Sequence, residues 1–210
     1  MAEIRIVYVD DQNDEILSRY VSQVYCSHEY NPRPGDQAVH KIYNEIKFDG
    51  TKGYEYLIQD TRIRSANVVL IDNHLFEERT AATGKFSGKQ FKVILRKLFP
   101  FIEVIIITQD ATLVSENVIR KFSDRHGSNP DVYYNTKLAP LLDAAIMEVL
   151  DFEALADDLV QSDDVEKMLI DKIVNSLKGD NSYDSLTKSD IDRLIASFKE
   201  LKDGCSNERL

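Results

Sequence analysis

Cysteine is scarce in this chain. The two cysteines, Cys26 and Cys205, have no metal-ligand spacing and cannot form a disulfide framework. Long apolar runs are also missing, since none approaches the roughly 18 residues of a membrane-spanning helix. The first nine residues reach a pair of aspartates too soon to form a signal peptide. We therefore expect a soluble, cytoplasmic protein without a membrane partner.

Positive charge is in short supply as well. The 26 Lys and Arg residues stand against 36 Asp and Glu residues, which gives a formal net charge of −10. No run of Lys and Arg is dense enough to form a basic patch, and an acidic surface repels phosphate backbones. These features argue against a nucleic-acid partner. The 43% of hydrophobic residues and the length of 210 residues allow one globular domain with an extension.

Short apolar runs alternate with helical stretches over residues 1–150. Runs rich in β-branched residues predict strands that are buried on both faces of a parallel sheet. The predicted strands cover 4–9, 43–48, 67–71, 103–107 and 131–134. The predicted helices lie near 13–26, 52–60, 88–98 and 111–124, and one more begins at about 138. The pattern predicts an α/β fold with a doubly wound, five-stranded parallel sheet and long connections at 27–42 and 73–87.

Residues 151–210 carry no strand signal and form a predicted C-terminal α-helical extension. The helix that begins near 138 continues into it, and two more helices are predicted, one from Asp163 to Lys178 and one from Thr187 to about Gly204. The segment has 15 acidic and 8 basic residues, a net charge of −7. We expect it to bind a protein partner or to self-associate, for example as a homodimer. Its candidate contact face is an apolar stripe, which could instead pack on the first domain: Ile191, Leu194, Ile195, Phe198 and Leu201.

Polar residues follow the apolar runs. In open α/β sheets the functional groups collect where the strands end. Asp10-Asp11 follows the first run, Asp72 the third, Thr108 the fourth, and Lys137 comes shortly after the fifth. Carboxylates that are brought together raise one another's pKa unless a cation neutralises them, so the three acids indicate a hard divalent metal. The alternative is that Asp10-Asp11 only caps the following helix.

This order of residues resembles the receiver domain of two-component response regulators, in which an aspartate accepts a phosphoryl group from a histidine kinase. The resemblance covers about residues 2–150 and implies a flavodoxin-like strand order. It assigns the phosphoacceptor to Asp72 and the Mg²⁺ ligands to Asp11 and Asp72, with Asp10 acting through water. The backbone carbonyl of His74 would complete the protein ligands.

The same resemblance gives roles to three residues near the later strands. Thr108 would donate its hydroxyl to a phosphoryl oxygen, and Lys137 would supply the cation at the end of the fifth strand. Tyr134, three residues before that lysine, would act with Thr108 as the conformational switch. The partners would be a histidine kinase or phosphotransfer protein and a downstream protein. Such a protein phosphorylates itself on aspartate in a phosphorelay and is not a turnover enzyme.

Two departures from the family pattern keep other functions open. Leu138 follows the lysine where the family has proline, and Gln109 follows Thr108 where a small residue is usual. These departures favour a pseudo-receiver, a binding module that is not phosphorylated. A phosphatase with related aspartate chemistry would need Asp-x-Asp after its first strand, and this chain has Asp10-Asp11-Gln12.

Overall fold

The structure is a computed structural model, and it describes residues 2–32, 38–76, 87–113, 115–123, 129–160, 171 and 173–175. Five parallel strands form one sheet in the order β2-β1-β3-β4-β5. The strands are β1 (Glu3–Asp10), β2 (His40–Lys47), β3 (Val68–Asp72), β4 (Glu103–Thr108) and β5 (Val118–Arg120). The predicted fold class, with its flavodoxin-like strand order, is confirmed.

Helices cover both faces of this sheet. In chain order they are α1 (Glu15–Arg19), a π-helix (Tyr20–Tyr25), α2 (Tyr54–Gln59), α3 (Thr61–Arg64), α4 (Gly88–Leu98), α5 (Pro130–Lys137) and α6 (Ala139–Val160). One core lies where residues of α2, α3 and α4 pack against the sheet. The other lies where residues of α1, the π-helix, α5 and α6 pack against the opposite face. All residues of β3 and β4 are buried, as expected for strands covered on both faces.

The first four strands agree with the predictions, but the fifth does not. The strand predicted at 131–134 is wrong, because these residues belong to α5. The helix predicted near 111–124 is also wrong, because β5 lies inside that range. Asn129 caps α5 by accepting hydrogen bonds from the backbone N–H groups of Asp131 and Val132, and Pro130 stands at its first position. These start signals outweigh the strand preference of Val132, Tyr133 and Tyr134.

Helix α6 runs without interruption through residue 150, the boundary predicted between domain and extension. Ala156 is buried beyond that boundary, and the ring of Phe152 contacts that of Phe101 in an edge-on arrangement with centroids 5.3 Å apart. Helix α6 therefore packs on the sheet domain past residue 150. The apolar stripe from Ile191 to Leu201 lies outside the described residues, as does nearly all of the helix predicted from Asp163.

Candidate functional site

Three of the predicted site residues end neighbouring strands. Asp10 ends β1, Asp72 ends β3 and Thr108 ends β4, and their exposed fractions are 0%, 4% and 0%. Asp11 follows Asp10 and is half-buried. The structure therefore brings these four residues to the carboxyl edge of the sheet, as the sequence predicts.

The cation at this edge is Lys121, not Lys137. The Nζ atom of Lys121 lies 2.7 Å from Oδ2 of Asp10 and 3.0 Å from Oδ1 of Asp72. Burial alone would lower the pKa of Lys121, but its hydrogen bonds and charge interactions with the two carboxylates outweigh burial and raise it. Lys121 is therefore a partly buried ammonium ion that bridges the two acids.

Lys137 and Tyr134 occupy different places from those predicted. Lys137 lies in the last turn of α5 and is exposed, where a cation suits the negative end of the helix dipole. Leu138, which follows it, is buried in the core. Tyr134 is also buried in α5, so it is not a strand residue three positions before the site lysine. That position belongs to Val118, which is not aromatic.

Asp10 is held by three donors within the protein. The buried hydroxyl of Tyr8 and the ammonium of Lys121 both donate to Oδ2, and the backbone N–H of Gln12 donates to Oδ1 at 3.0 Å. Burial opposes ionisation of Asp10, but these hydrogen bonds outweigh it and lower the pKa of the carboxyl. Burial and the nearby acids raise the pKa of Tyr8, so its hydroxyl stays a proton donor.

Asp11 shows that the site still has an excess of negative charge. Its pKa is raised, first by burial and then by its hydrogen bond and charge interaction with Asp10, with a smaller effect from Asp72. Counted by formal charge, three carboxylates against one ammonium give −2. A cation of charge +2 would balance it, and carboxylate oxygens are the ligands that Mg²⁺ prefers.

Carboxylates are suitable ligands for Mg²⁺, but the positions of these acids do not form a metal site. In the described ranges, no group of three or more His, Cys, Asp or Glu side chains is placed to hold a metal ion. Lys121 stands between Asp10 and Asp72, where a metal shared by them would need to be. The loop after β1 also holds Asn13, in the left-handed region with φ 54, whose buried Oδ1 has no hydrogen-bond partner among the described residues.

The backbone around Asp72 is tightly fixed. The N–H of His74 donates to Oδ2 of Asp72 at 2.7 Å, and the N–H of Asn73 donates to the carbonyl of Ile107 at 2.8 Å. Gly88 donates to the carbonyl of Asn73 at 2.8 Å, and a Cβ added at Gly88 would lie only 2.5 Å from the carbonyl oxygen of Asp72. The start of α4 therefore requires glycine because it approaches the end of β3 so closely.

Thr108 connects the fourth and fifth strands at the site. Its carbonyl accepts a 2.7 Å hydrogen bond from the N–H of Lys121, and its hydroxyl oxygen accepts one from the N–H of Asp110 at 3.0 Å. The side chain of Gln109 is exposed. The hydroxyl of Thr108 is thus held at the strand edge as an acceptor, and that bond does not use its proton.

Two site residues were missed from the sequence. Lys121 directly follows β5, which contains only two apolar residues, Val118 and Ile119, and is shorter than the other apolar runs. The sequence pattern that could have indicated this site is a lysine shortly after a pair of β-branched residues, 13 positions beyond Thr108. Tyr8 gave no signal, because an aromatic residue inside a buried strand is ordinary core composition.

No family model and no curated protein matches the sequence. A solved structure described as a two component transcriptional regulator AraC from Clostridium phytofermentans ISDg is similar at 18% identity with a TM-score of 0.39. The similarity covers 72% of this chain and 98% of that one. The fold assignment comes from the strand order of the sheet itself. None of the helices among the described residues is both long and apolar enough to span a bilayer.

Proposed function

We propose that this protein is a divergent receiver that accepts a phosphoryl group on Asp72 and signals through protein partners. The observation that carries the proposal is the bridge of Lys121 to Asp10 and Asp72, at the edge where Thr108 also ends its strand. A fixed ammonium beside a carboxylate can stabilise negative charge that develops on a transferring phosphoryl group.

In the proposed reaction, one carboxylate oxygen of Asp72 forms a bond to phosphorus. The bond between phosphorus and the donor breaks at the same time, and its electron pair leaves with the donor group. That group is the imidazole of a phosphohistidine in a kinase or phosphotransfer protein, or acetate when acetyl phosphate is used. Lys121 and the hydroxyl of Thr108 would hold the phosphoryl oxygens, with Lys121 in the role that the resemblance gave to Lys137.

Asp11 and Asp72 are the side chains that we propose for Mg²⁺, with the backbone carbonyl of His74. The raised pKa of Asp11 supports this choice, because burial and the neighbouring carboxylate of Asp10 both disfavour its charged form, and a bound cation would favour that form. A bound Mg²⁺ would neutralise charge on the phosphoryl oxygens. Asp10 would act indirectly, since Tyr8, Lys121 and Gln12 already donate to its oxygens.

Incubation with Mg²⁺ and acetyl phosphate, followed by intact-mass measurement, tests the proposal. We expect one acid-labile phosphoryl group per chain, absent in Asp72→Asn. Calorimetric titration should show weaker Mg²⁺ binding in Asp11→Asn, with Glu15→Gln on the exposed start of α1 as the control. Label that persists in Asp72→Asn would refute the assignment, and unchanged Mg²⁺ affinity in Asp11→Asn would refute the metal site.

A pseudo-receiver is the second candidate. The bridging position of Lys121 favours it, because an internal cation offsets part of the charge of Asp10 and Asp72 without metal or phosphate. If this candidate is correct, the protein stays unmodified under the same conditions. Sustained turnover of an aryl phosphate would instead indicate a phosphatase. The proposed function predicts no such turnover, because each chain accepts one phosphoryl group.

A further inference from the structure

Strand β5, which carries the chain to Lys121, has little support from the sheet. It has three residues and lies at the edge of the sheet, and within the described ranges its one strand partner is β4. A strand this short has few ladder hydrogen bonds to fix the residue that follows it. The hydrogen bond from the N–H of Lys121 to the carbonyl of Thr108 is one contact that fixes the backbone at this position.

Two adjacent tyrosines of α5 provide further constraints, one on each side of Lys121. The hydroxyl of Tyr133 donates to the carbonyl of Arg120 at 3.0 Å. The hydroxyl oxygen of Tyr134 accepts a hydrogen bond from the N–H of Phe122, also at 3.0 Å. The rings of Phe122 and Tyr133 also meet edge-on, with centroids 5.8 Å apart.

Helix α5 is in turn attached to the helices that follow β1. The ring of Tyr20 in the π-helix lies 5.2 Å from that of Tyr134, and its hydroxyl donates to Oδ1 of Asn135 at 2.7 Å. Arg19 forms an ion pair with Asp131 at the partly exposed start of α5. A shift of α5 relative to β5 would therefore alter contacts on this outer side of the molecule.

We propose that Tyr133 and Tyr134 are positioning residues for Lys121 and couple the acidic site to helix α5. The tyrosines hold the backbone on both sides of the lysine, and thereby hold its ammonium between Asp10 and Asp72. A phosphoryl group on Asp72 that draws Lys121 toward itself pulls on both hydrogen bonds. This proposal rests on the proposed function, because it concerns the cation of the same site.

The solvent exchange of the Lys121 ammonium, measured by NMR on the metal-free, unphosphorylated full chain, tests the positioning role. Its signal is identified by its loss in Lys121→Arg. We expect Tyr133→Phe and Tyr134→Phe to accelerate exchange about fivefold, the factor equivalent to one lost neutral hydrogen bond. The matched control is Tyr20→Phe, which removes a hydroxyl from the same helix contact but not from the backbone beside Lys121, and should leave the rate unchanged.

Exchange rates in both α5 variants that equal the rate in Tyr20→Phe would overturn the positioning role. Tyr133 is only partly buried, so Tyr133→Phe keeps the test valid if Tyr134→Phe does not fold. The coupling has a reciprocal test: Asp72→Asn should shift the Phe122 amide resonance more than that of Ser22, and equal shifts would overturn it. Neither measurement uses a phosphodonor, so a protein that passes both and is never phosphorylated refutes only the proposed function.

Discussion

At the scale of single residues, Tyr8 distinguishes this site from a simple group of acids. Its hydroxyl is buried beneath the strand edge and donates to Asp10. A hydrogen bond to a charged group contributes about 2 kcal/mol, so we expect Tyr8→Phe to lower the free energy of unfolding by about that amount at pH 7. Urea unfolding measures the difference.

The pH dependence of that difference follows from Asp10. Its folded-state pKa lies below the ordinary value of 3.8, so the stability it contributes is complete above about pH 4 and is lost as the pH falls through the folded-state pKa. Tyr8→Phe removes one cause of the lowered pKa. The gap between wild type and variant should therefore be full at pH 7 and close as the pH falls through the folded-state pKa of Asp10. The gap in Tyr20→Phe, whose partner is the neutral Asn135, should not change with pH. A Tyr8 gap that stays constant while the pH is lowered through the titration of Asp10 would contradict the account.

Gly88 gives a second prediction at this scale. A Cβ at this position would meet the backbone of Asp72 and Asn73, at 2.5 Å from the carbonyl oxygen and 2.9 Å from Cα. We expect Gly88→Ala to cost about 1–3 kcal/mol of stability by overpacking, and to slow phosphorylation because Asp72 must move. Gly50→Ala is the control, because nothing lies within 4 Å of a Cβ there. Equal stability and equal phosphorylation rates in the two variants would contradict this prediction, because they would show that the backbone accommodates a Cβ at position 88 at no cost.

At the scale of elements, the sequence was informative where a strand is long and buried. Strands β1, β3 and β4 are rich in β-branched residues and end in a polar residue, and their positions, with Asp10, Asp72 and Thr108 at their ends, agree with the predictions. Strand β5 has three residues and depends on contacts with α5 that no local pattern encodes. The run Val132-Tyr133-Tyr134 has strand preference but follows a helix cap and a proline, and the cap decides the outcome.

Helix α6 leads to a prediction about truncation. Phe152 contacts Phe101 and Ala156 is buried, so the part of α6 after residue 150 stabilises the sheet domain. A chain ending at residue 150 should melt several degrees below one ending at residue 160, because burial of a large aromatic side chain contributes about 2 kcal/mol. Calorimetry on the two chains measures this. Equal melting temperatures would place the domain boundary at residue 150.

At the scale of the whole molecule, the charge of −10 and the acidic C-terminal segment argue for a protein partner over nucleic acid. The sequence predicts that the apolar stripe of this segment binds a protein, self-associates or packs on the sheet domain, and the stripe lies outside the described residues. The sequence could not show that an internal ammonium reaches Asp10, since Lys121 is brought to it only by the fold. Tyr8 lies two residues before Asp10 on the same face of β1, but its composition there is that of an ordinary buried strand. The sheet order explains why the acids meet, and the contacts of α5 explain why Lys121, not Lys137, joins them.

The central claim is that Asp72 is phosphorylated at a site whose cation is Lys121. The most direct measurement compares the rates at which acetyl phosphate labels the wild type, Lys121→Gln and Lys137→Gln, each shown to be folded by circular dichroism. We expect labelling of the wild type and of Lys137→Gln at equal rates, and about 100-fold slower labelling of Lys121→Gln, the effect of removing one fixed donor. Lys121→Arg, which keeps the charge, replaces Lys121→Gln if that variant does not fold, and should also be slowed. An unlabelled wild type, or a Lys121 variant labelled at the wild-type rate, would contradict the claim.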